Sequence, residues 1–524
     1  MKNETVQIQI LPNELSNQKL LLELANQKTQ SGNYTHFFIR KRSIDARKRP
    51  VKYNLQVILS NEPIADQIYT FEEQDVSKAK FVHIIGAGPA GLYAALQAIS
   101  MGLKPIVYER GKDVRSRRRD LAKLNKDHIV NSESNYCYGE GGAGTYSDGK
   151  LYTRSKKRGN VLKAMEWLVH FGADPDILVD AHPHIGTNKL PQLIVNIRET
   201  IKACGGEIHF EAKLTDIKIE NKKLTAISIN DQDFLPVHAL VLATGHSARD
   251  IFNLLHKKGV IIKAKPFALG VRIEHDQHLI NAIQYNKDKQ IELLPPASYS
   301  LVAQVKDKGV YSFCMCPGGI IAPCATAREE VVTNGWSPSK RNNPYANAGV
   351  VVTIEPEELT RNPDENPLVC LAFQQEVEKK CWEAAGKTQA VPAQRLIDFV
   401  EGKVSKDLPK TSYQPGIVSV DLNKILPERV AEPLKVAFIQ FGKKMKGFYT
   451  NEAVLHAPES RTSSPVFIPR EKDTLEHIET QGLYPCGEGA GYAGGIISAA
   501  VDGMNCIQAI YNSLTKNEKI NNGG

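Results

Sequence analysis

The fold of this chain is decided by residues 81–110, which read FVHIIGAGPAGLYAALQAISMGLKPIVYER. The first five are apolar and predict a buried parallel strand. Gly86, Gly88 and Gly91 then supply a G-x-G-x-x-G turn. Gly86 permits the tight turn, Gly88 lets the backbone approach a pyrophosphate, and Gly91 lets the next helix pack on the strand. The pattern predicts a strand and turn that hold a dinucleotide.

The rest of this stretch supports the same interpretation. A helix is predicted from Pro89 to Ser100, with Pro89 and Ala90 at its start, and its N-terminal N–H groups would face the phosphates. A second strand follows, and Glu109 ends it eighteen positions after Gly91, where an acid can bind a ribose hydroxyl. Arg110 comes next and is included in the predicted site. The alternative is a glycine turn without a nucleotide, and the complete strand, helix and acid argue against it.

Composition sets broad limits on the class of protein. The chain has 524 residues, a formal net charge of +8, 42% hydrophobic and 24% charged residues, which predicts several domains in an ordinary globular protein. Neither a signal peptide nor a membrane-spanning run is evident, so we expect a cytoplasmic protein. The nine cysteines contain no C-x-x-C pair, and His182 and His184 have no third ligand nearby. We therefore expect neither disulfides nor a metal.

A second glycine-rich segment, GEGGAGTYSDGKL, lies at residues 139–151. Its glycines disfavour the interior of a helix or strand and indicate a loop that approaches another group closely. A flavin ring is the natural candidate, and a flexible surface loop is the alternative. The predicted cofactor contacts in this segment are Gly141, Gly142, Ala143, Gly144 and Thr145.

Two later segments complete the predicted site. An apolar strand ends in Ala243, Thr244 and Gly245 after a three-stranded meander, which resembles the second FAD fingerprint of glutathione-reductase-type flavoproteins. Near the C-terminus a strand is followed by an acid, a glycine turn and an apolar helix, whose N-terminus would favour the anionic reduced flavin. The predicted contacts of this last segment are Gly487, Glu488, Gly494, Gly495 and Ile496. Together with the first glycine turn, these two segments predict non-covalent FAD.

These segments divide the chain. We predict an α/β protein with an α+β extension, in which residues 78–265 and 471–524 form a Rossmann-type FAD-binding domain of glutathione-reductase type. Residues 266–470 would be an inserted substrate domain with a mixed or antiparallel sheet that covers the flavin. Residues 1–77 read as a strand, a helix and two extended segments, which is the order of a ferredoxin-like half.

Several motifs carry a family resemblance over nearly the whole length. They are SIDARK at 43–48, GEGGAGTYSDGKL at 139–151, GHSARD at 245–250, KPFALGVRIEH at 265–275, FCMCPGG at 313–319, ESRTSSPV at 459–466 and GEGAGYAGGI at 487–496. The chain resembles a family of FAD-dependent dehydrogenases with an N-terminal ferredoxin-like extension. The resemblance implies FAD binding and redox activity, and it brings no known substrate with it.

The predicted function is therefore a flavin oxidoreductase that moves a hydride between FAD N5 and a small organic, possibly anionic, substrate. Arg341 and Arg461 are candidates for an anion anchor, with an internal ion pair as the alternative for each. Cys314 and Cys316 lie on one face of a predicted strand. They are either a redox pair or buried small side chains.

Two functions of other classes stay open. Basic clusters at residues 40–52 and 110–119 could hold RNA phosphates, although solvated basic surfaces are the more ordinary explanation. A flavin-binding protein without turnover is the other. Among partners we expect a small-molecule substrate and a redox partner or transient NAD(P)H, without a membrane or nucleic acid. Only residues 86–91 fit the dinucleotide turn, so no dedicated NAD(P)H domain is predicted.

Overall fold

The computed structural model of the protein describes residues 3–30, 32–63, 69–153 and 159–522. In chain order its strands are β1 (Glu4–Ile10), β2 (His36–Asp45), β3 (Lys52–Ser60), β4 (Phe81–Ile85), β5 (Lys104–Tyr108), β6 (Glu207–His209), β7 (Leu214–Glu220), β8 (Lys223–Ile229), β9 (Leu235–Pro236), β10 (Leu240–Leu242), β11 (Lys263–Ala264), β12 (Phe267–Asp276), β13 (Val302–Val305), β14 (Lys308–Cys316), β15 (Ile320–Pro323), β16 (Thr333–Trp336), β17 (Tyr345–Ile354), β18 (Val391–Arg395), β19 (Ile417–Ser419), β20 (Val454–Glu459), β21 (Val466–Phe467) and β22 (Leu483–Pro485). The helices are α1 (Gln18–Asn26), α2 (Pro89–Ser100), α3 (Val114–Asp127), α4 (Val161–His170), α5 (Leu190–Ala203), α6 (Arg249–Lys257), α7 (Gln277–Gln284), α8 (Val369–Ala384), α9 (Leu396–Glu401), α10 (Leu422–Ile425), α11 (Glu428–Lys444) and α12 (Ile496–Asn522).

A five-stranded parallel sheet forms the first half of the molecule, in the order β22-β10-β4-β5-β6. Its strands are short and apolar, as expected for a sheet that is covered on both faces. Val82 and Ile84 pack against α2, α4, α5 and α12 on one face. Ile85 and Leu242 pack on the other face against the β7–β9 meander and α6. The predicted strand, helix and meander of this half are therefore present.

A seven-stranded sheet forms the second half, in the order β13-β14-β17-β12-β20-β18-β19. Its strand pairs are antiparallel except for β18 with β19. The two central strands, β12 and β17, pair along their whole length and are buried almost throughout, although β12 includes the buried polar residues Arg272, Glu274 and His275. The mixed, mainly antiparallel sheet predicted for residues 266–470 is thus observed.

The N-terminal residues form a three-stranded antiparallel sheet in the order β1-β3-β2, with α1 packed on it. Its buried side chains are continuous with the apolar core of the seven-stranded sheet. The contact is also polar, because the Asp288 carboxylate accepts a 2.8 Å hydrogen bond from Val51 N. Arg42 from the basic segment forms ion pairs of 2.8 Å with Asp176 and 2.7 Å with Asp180.

Helices long and apolar enough to cross a membrane are absent from the described part of the chain.

Candidate functional site

The four strands that precede the predicted cofactor segments end at one edge of the five-stranded sheet. Because β4, β5, β10 and β22 are parallel, their carboxyl ends meet there, which is where ligands bind in open α/β sheets. A cavity of about 820 Å³ opens at this edge and is closed on its far side by Phe313, Cys314 and Asn334 from the seven-stranded half. The two sheets therefore share one cavity.

Most of the predicted cofactor residues lie on the wall of this cavity. They are Gly86, Gly88, Pro89, Ala90, Glu109, Arg110, Gly142, Ala143, Gly144, Ala243, Thr244, Gly245, Gly487, Glu488, Gly494, Gly495 and Ile496. Gly91, Gly141 and Thr145 are not among the residues that line it. A Cβ at Gly91 would lie 1.8 Å from Gly86 O, and one at Gly141 would lie 2.1 Å from Thr145 Oγ1. These three residues therefore pack behind the residues that line the cavity.

The first glycine turn is shaped by its surroundings. Gly86 has a φ of +100°, a conformation that other residues rarely adopt, and its N–H donates a 2.8 Å hydrogen bond to Tyr108 O. Gly88 is the N-cap of α2 and faces Gly142, whose Cβ, if present, would lie 3.1 Å from Gly88 Cα. The turn and the second glycine segment thus approach each other closely, and the tight contact and the φ of +59° at Gly142 both favour glycine there.

Glu109 lies at the end of β5, as predicted, and its carboxylate is already held by the backbone. Its Oε2 accepts from Ala87 N at 2.8 Å, and its Oε1 accepts from Gly111 N and Gly139 N, each at 2.9 Å. The side chain joins the glycine turn to the second glycine segment. Glu109 therefore has a structural task in addition to the ribose contact that its position predicts.

Arg117 is a functional residue that the sequence reasoning missed. Its side chain is fully buried, and it donates to the carbonyls of Asn135, Glu140 and Gly142 at 2.7 to 2.9 Å. It thereby fixes the glycine segment from below. Arg110, in the same basic run, pairs with Glu133 and Asp250 and lies 4.2 Å from the centre of the Tyr138 ring. Both arginines have internal partners, so the hypothesis that this cluster holds RNA phosphates would have to rest on its other basic residues.

The third and fourth cofactor segments meet on the other side of the turn. A Cβ at Gly489 would lie 2.5 Å from Gly245 O, so the two segments touch through their backbones. Gly495 leads into α12, and the first residues of this helix line the cavity, which places its positive end there. Burial raises the pKa of Glu488 to about 7, although Lys265 opposes this shift.

Arg461 lines the cavity but is not available as an anion anchor. Its guanidinium lies 2.6 Å from Glu330 and 3.0 Å from Glu378, and Arg249 pairs with the same two carboxylates. All four side chains are nearly or fully buried. Burial opposes ionisation of Glu330, yet Arg461 and Arg249 hold its pKa below the usual range. Of the two interpretations of Arg461, the structure supports the internal ion pair.

Arg341 also pairs internally, although it shares its carboxylate with a second cation. It lies 3.2 Å from the buried Asp148 carboxylate and is not among the residues lining the cavity. The same carboxylate pairs with Lys150, again at 3.2 Å. Cys314 lines the cavity, whereas Cys316 is fully buried behind it. The two sulfurs each lie 3.7 Å from Lys150 Nζ, a contact that sequence spacing could not reveal.

Comparison with known proteins identifies the family. A model described as FAD-dependent protein, C-terminal domain-like, matches residues 266–462. A protein of Clostridium beijerinckii, named as uncharacterized, is 42% identical over 494 residues, or 90% of this chain and 91% of that protein. The chain belongs to this family of FAD-dependent proteins. A domain of unknown function also matches residues 1–60.

Solved structures of low similarity were also found. CtdE in complex with FAD has a TM-score of 0.32 and 10% identity, covering 82% of this chain and 84% of that one. The halogenase PltM has a TM-score of 0.36 and 9% identity, and the match covers 85% of this chain and 70% of that one. A geranylgeranyl bacteriochlorophyll reductase-like protein from Thermoplasma acidophilum has a TM-score of 0.34 and 14% identity, and the match covers 84% of this chain and 80% of that one. No functional conclusion rests on these three.

The cofactor of this FAD-dependent family fits the residues of the cavity. The glycine turn leaves a cradle that a Cβ at Gly88 or Gly142 would narrow, and α2 begins directly behind it. The volume is within the range of about 300–1,000 Å³ typical of cofactor sites. The other sides of the cavity are lined by Glu109, the second glycine segment and the start of α12.

We expect FAD to be held without a covalent bond. The glycine turn, the start of α2 and Glu109 would hold the pyrophosphate and the ribose through non-covalent contacts. Acid precipitation of the purified protein should release a yellow supernatant that contains FAD. Colour that stays in the pellet, or release of FMN instead of FAD, would contradict this expectation.

Glu109→Ala should weaken FAD retention by about 1–3 kcal/mol, roughly five- to a hundredfold, because a charged hydrogen bond is lost and three backbone donors are left unpaired. Titration of the FAD-free protein with FAD measures this. Glu207→Ala is the matched control, since Glu207 lies on β6 of the same sheet and its contacts with Lys104 and His209 are both part-exposed. Equal affinities in both variants would remove Glu109 from the site.

Proposed function

We propose that the protein is an FAD-dependent oxidoreductase that transfers a hydride between flavin N5 and a small organic substrate. The observation that supports this is the shared cavity, whose one wall carries the cofactor segments and whose other wall comes from the seven-stranded half. A substrate in that cavity would lie between the cofactor and side chains of the second sheet. When bound, FAD accepts or donates the hydride.

Hydride transfer from a hydroxyl or amine substrate also needs a side chain beside the O–H or N–H group of that substrate. His246 lines the cavity, and its Nδ1 lies 2.8 Å from Ser247 Oγ. Burial lowers the pKa of His246 to about 4, with Arg461 and Arg249 adding to the effect. The imidazole is therefore neutral near pH 7 and can accept a hydrogen bond from a hydroxyl or amine substrate, but its low pKa makes it a weak base. We infer that His246 orients the O–H or N–H group of the substrate beside the flavin.

The finer assignment of the fold is part of this proposal. The order of the parallel sheet, with the meander on one face and helices on the other, supports the glutathione-reductase type. The β1-α1-β2-β3 order with β3 between its neighbours supports the ferredoxin-like extension. We keep the division into residues 1–77, 78–265, 266–470 and 471–524 on the same basis.

The proposal is tested by anaerobic reduction of the bound flavin. Candidate hydroxy and amino compounds are added to the oxidised holoprotein, and bleaching near 450 nm is followed. A substrate should bleach the flavin at a saturable rate, and His246→Asn should slow that rate without releasing FAD. A panel that never bleaches the flavin, in a protein that dithionite reduces normally, would favour the flavin-binding protein without turnover.

NAD(P)H is expected to reduce the flavin slowly and without saturation. Among the strands of the described residues, parallel pairing is confined to the five-stranded sheet and to β18 with β19. β18 runs directly into α9 without a glycine turn, so a second pyrophosphate cradle is missing from that pair. Stopped-flow mixing of the holoprotein with NADH or NADPH decides the matter. Fast bleaching that saturates at micromolar concentration would overturn this expectation.

A further inference from the structure

Two cysteines and a lysine meet where the second sheet closes the cofactor cavity. Cys314 and Cys316 lie near the end of β14, and Lys150 comes from the glycine segment of the other half. Lys150 Nζ lies 3.7 Å from both sulfurs and 3.2 Å from Asp148 Oδ2. Cys314 is part-exposed and lines the cavity, whereas Cys316 is fully buried. One thiol is therefore accessible to a ligand in the cavity.

The backbone holds Cys314 in an unusual conformation. Its φ is +44°, which is uncommon for a residue with a side chain, and the β14–β17 register shifts between Phe313 and Cys316. The Cys314 carbonyl accepts from Arg272 Nη1 at 3.3 Å and from Cys316 Sγ at 3.3 Å. Cys316 is fully buried and has this carbonyl as an acceptor for its S–H group, whereas Cys314 faces the cavity, so Cys314 is the thiol better placed to ionise.

The charges around the two thiols require one more anion. Lys150 and Arg341 share the single carboxylate of Asp148, each at 3.2 Å. The neighbouring Arg272 is already matched by Glu459 at 2.7 Å, and both of these side chains are fully buried. Two cations against one carboxylate leave an excess positive charge beside the sulfurs. A thiolate at Cys314 would balance this charge at a site that is only partly open to water, since the Lys150 side chain is 36% exposed and that of Arg341 is 15% exposed.

The pKa shifts of Cys314 and of the groups near it agree with an ionised Cys314 thiol. The hydrogen bond from Cys316 and the Lys150 ammonium hold the pKa of Cys314 well below its usual range, although burial opposes them. Burial also lowers the pKa of His184, next to Arg341, so its imidazole is neutral near pH 7. The charged and titratable groups that bear on Cys314 are Lys150, Arg272, Asp148, Glu459, Glu488 and Cys316.

We propose that Cys314 is a thiolate nucleophile of the cofactor cavity, that Lys150 keeps it ionised, and that it takes an electrophilic carbon as substrate or ligand. Its sulfur forms one bond to that carbon, and the leaving group departs with the electrons of the bond that breaks. No proton needs to be removed, because the thiol is already ionised. This site goes beyond the proposed hydride transfer and does not depend on it.

The test is the pH dependence of alkylation. The holoprotein is treated with iodoacetamide between pH 5 and 9, and peptide mass spectrometry gives the rate at each cysteine. Cys314 should react with a midpoint well below the value of about 8.5 for a free thiol. Lys150→Met should slow its reaction at pH 6.5 at least tenfold and move the midpoint upward. Lys150→Arg retains the cation and should keep the midpoint low.

Cys137 provides an internal control, because it also lines the cavity and reports whether the reagent enters. Retention of FAD by each variant shows that the cavity is intact. A Cys314 midpoint at or above that of a free thiol would overturn the proposal. So would an unchanged rate in Lys150→Met, or modification of Cys137 with Cys314 unreactive at every pH. None of these results bears on flavin bleaching, so failure of the proposed function would be seen separately.

Discussion

Gly91→Ala is expected to abolish stable FAD binding. A Cβ at this position would lie 1.8 Å from Gly86 O and 3.0 Å from Gly86 C, well inside contact distance. Both atoms belong to the backbone of the glycine turn, so no side chain can rotate away. α2 would have to move off the sheet or the turn would have to unfold. Overpacking of this kind typically costs about 1–3 kcal/mol and often more where backbone must shift.

The measurement is the ratio of FAD to protein after gel filtration. We expect Gly91→Ala to lose most of its flavin, since about 1–3 kcal/mol corresponds to a roughly five- to 150-fold weaker affinity. Gly309→Ala is the matched control on β14, because a Cβ there meets only Thr353 Oγ1 at an ordinary 3.6 Å. Full flavin content in Gly91→Ala would show that α2 does not need close contact with the turn.

Glu378→Ala should produce the largest loss of stability among single carboxylate variants of α8. Glu378 is fully buried and accepts from Arg249, Arg461 and the hydroxyl of Ser460, the last at 2.6 Å. Its removal leaves two buried guanidinium groups with Glu330 alone. Breaking a buried ion pair in this way costs about 3–5 kcal/mol.

Urea unfolding followed by tryptophan fluorescence measures this effect as a fall in the transition midpoint. Glu376→Ala on the same helix is the control, because its ion pair with Lys380 is more than half exposed at both side chains. Such surface pairs contribute up to about 1 kcal/mol. Equal midpoints for the two variants would mean that the arginines find other partners or water.

The cofactor half of the molecule was predictable from sequence because its chemistry is local. A glycine turn, a helix start and an acid at the end of a strand are each defined by neighbouring residues, and parallel strands bring their ends to one edge. The boundaries of β4 and α2 agree with those predicted. By the same reasoning, Gly91 could be assigned to close packing before the contact distance to Gly86 O was known.

Only the tertiary structure shows which partners the candidate arginines and cysteines have. Arg461 finds its carboxylates 83 and 131 residues away, and Lys150 meets Cys314 across 164 residues. Residue type tells that a side chain is charged, but whether it is free or paired depends on what the packing of two sheets brings beside it. Sequence alone thus determined the FAD-binding elements. Only the fold shows that both candidate arginines pair with carboxylates and that Cys314 lies beside the Lys150 ammonium. These contacts join segments that are far apart in the chain, and their spacing in the sequence does not predict them.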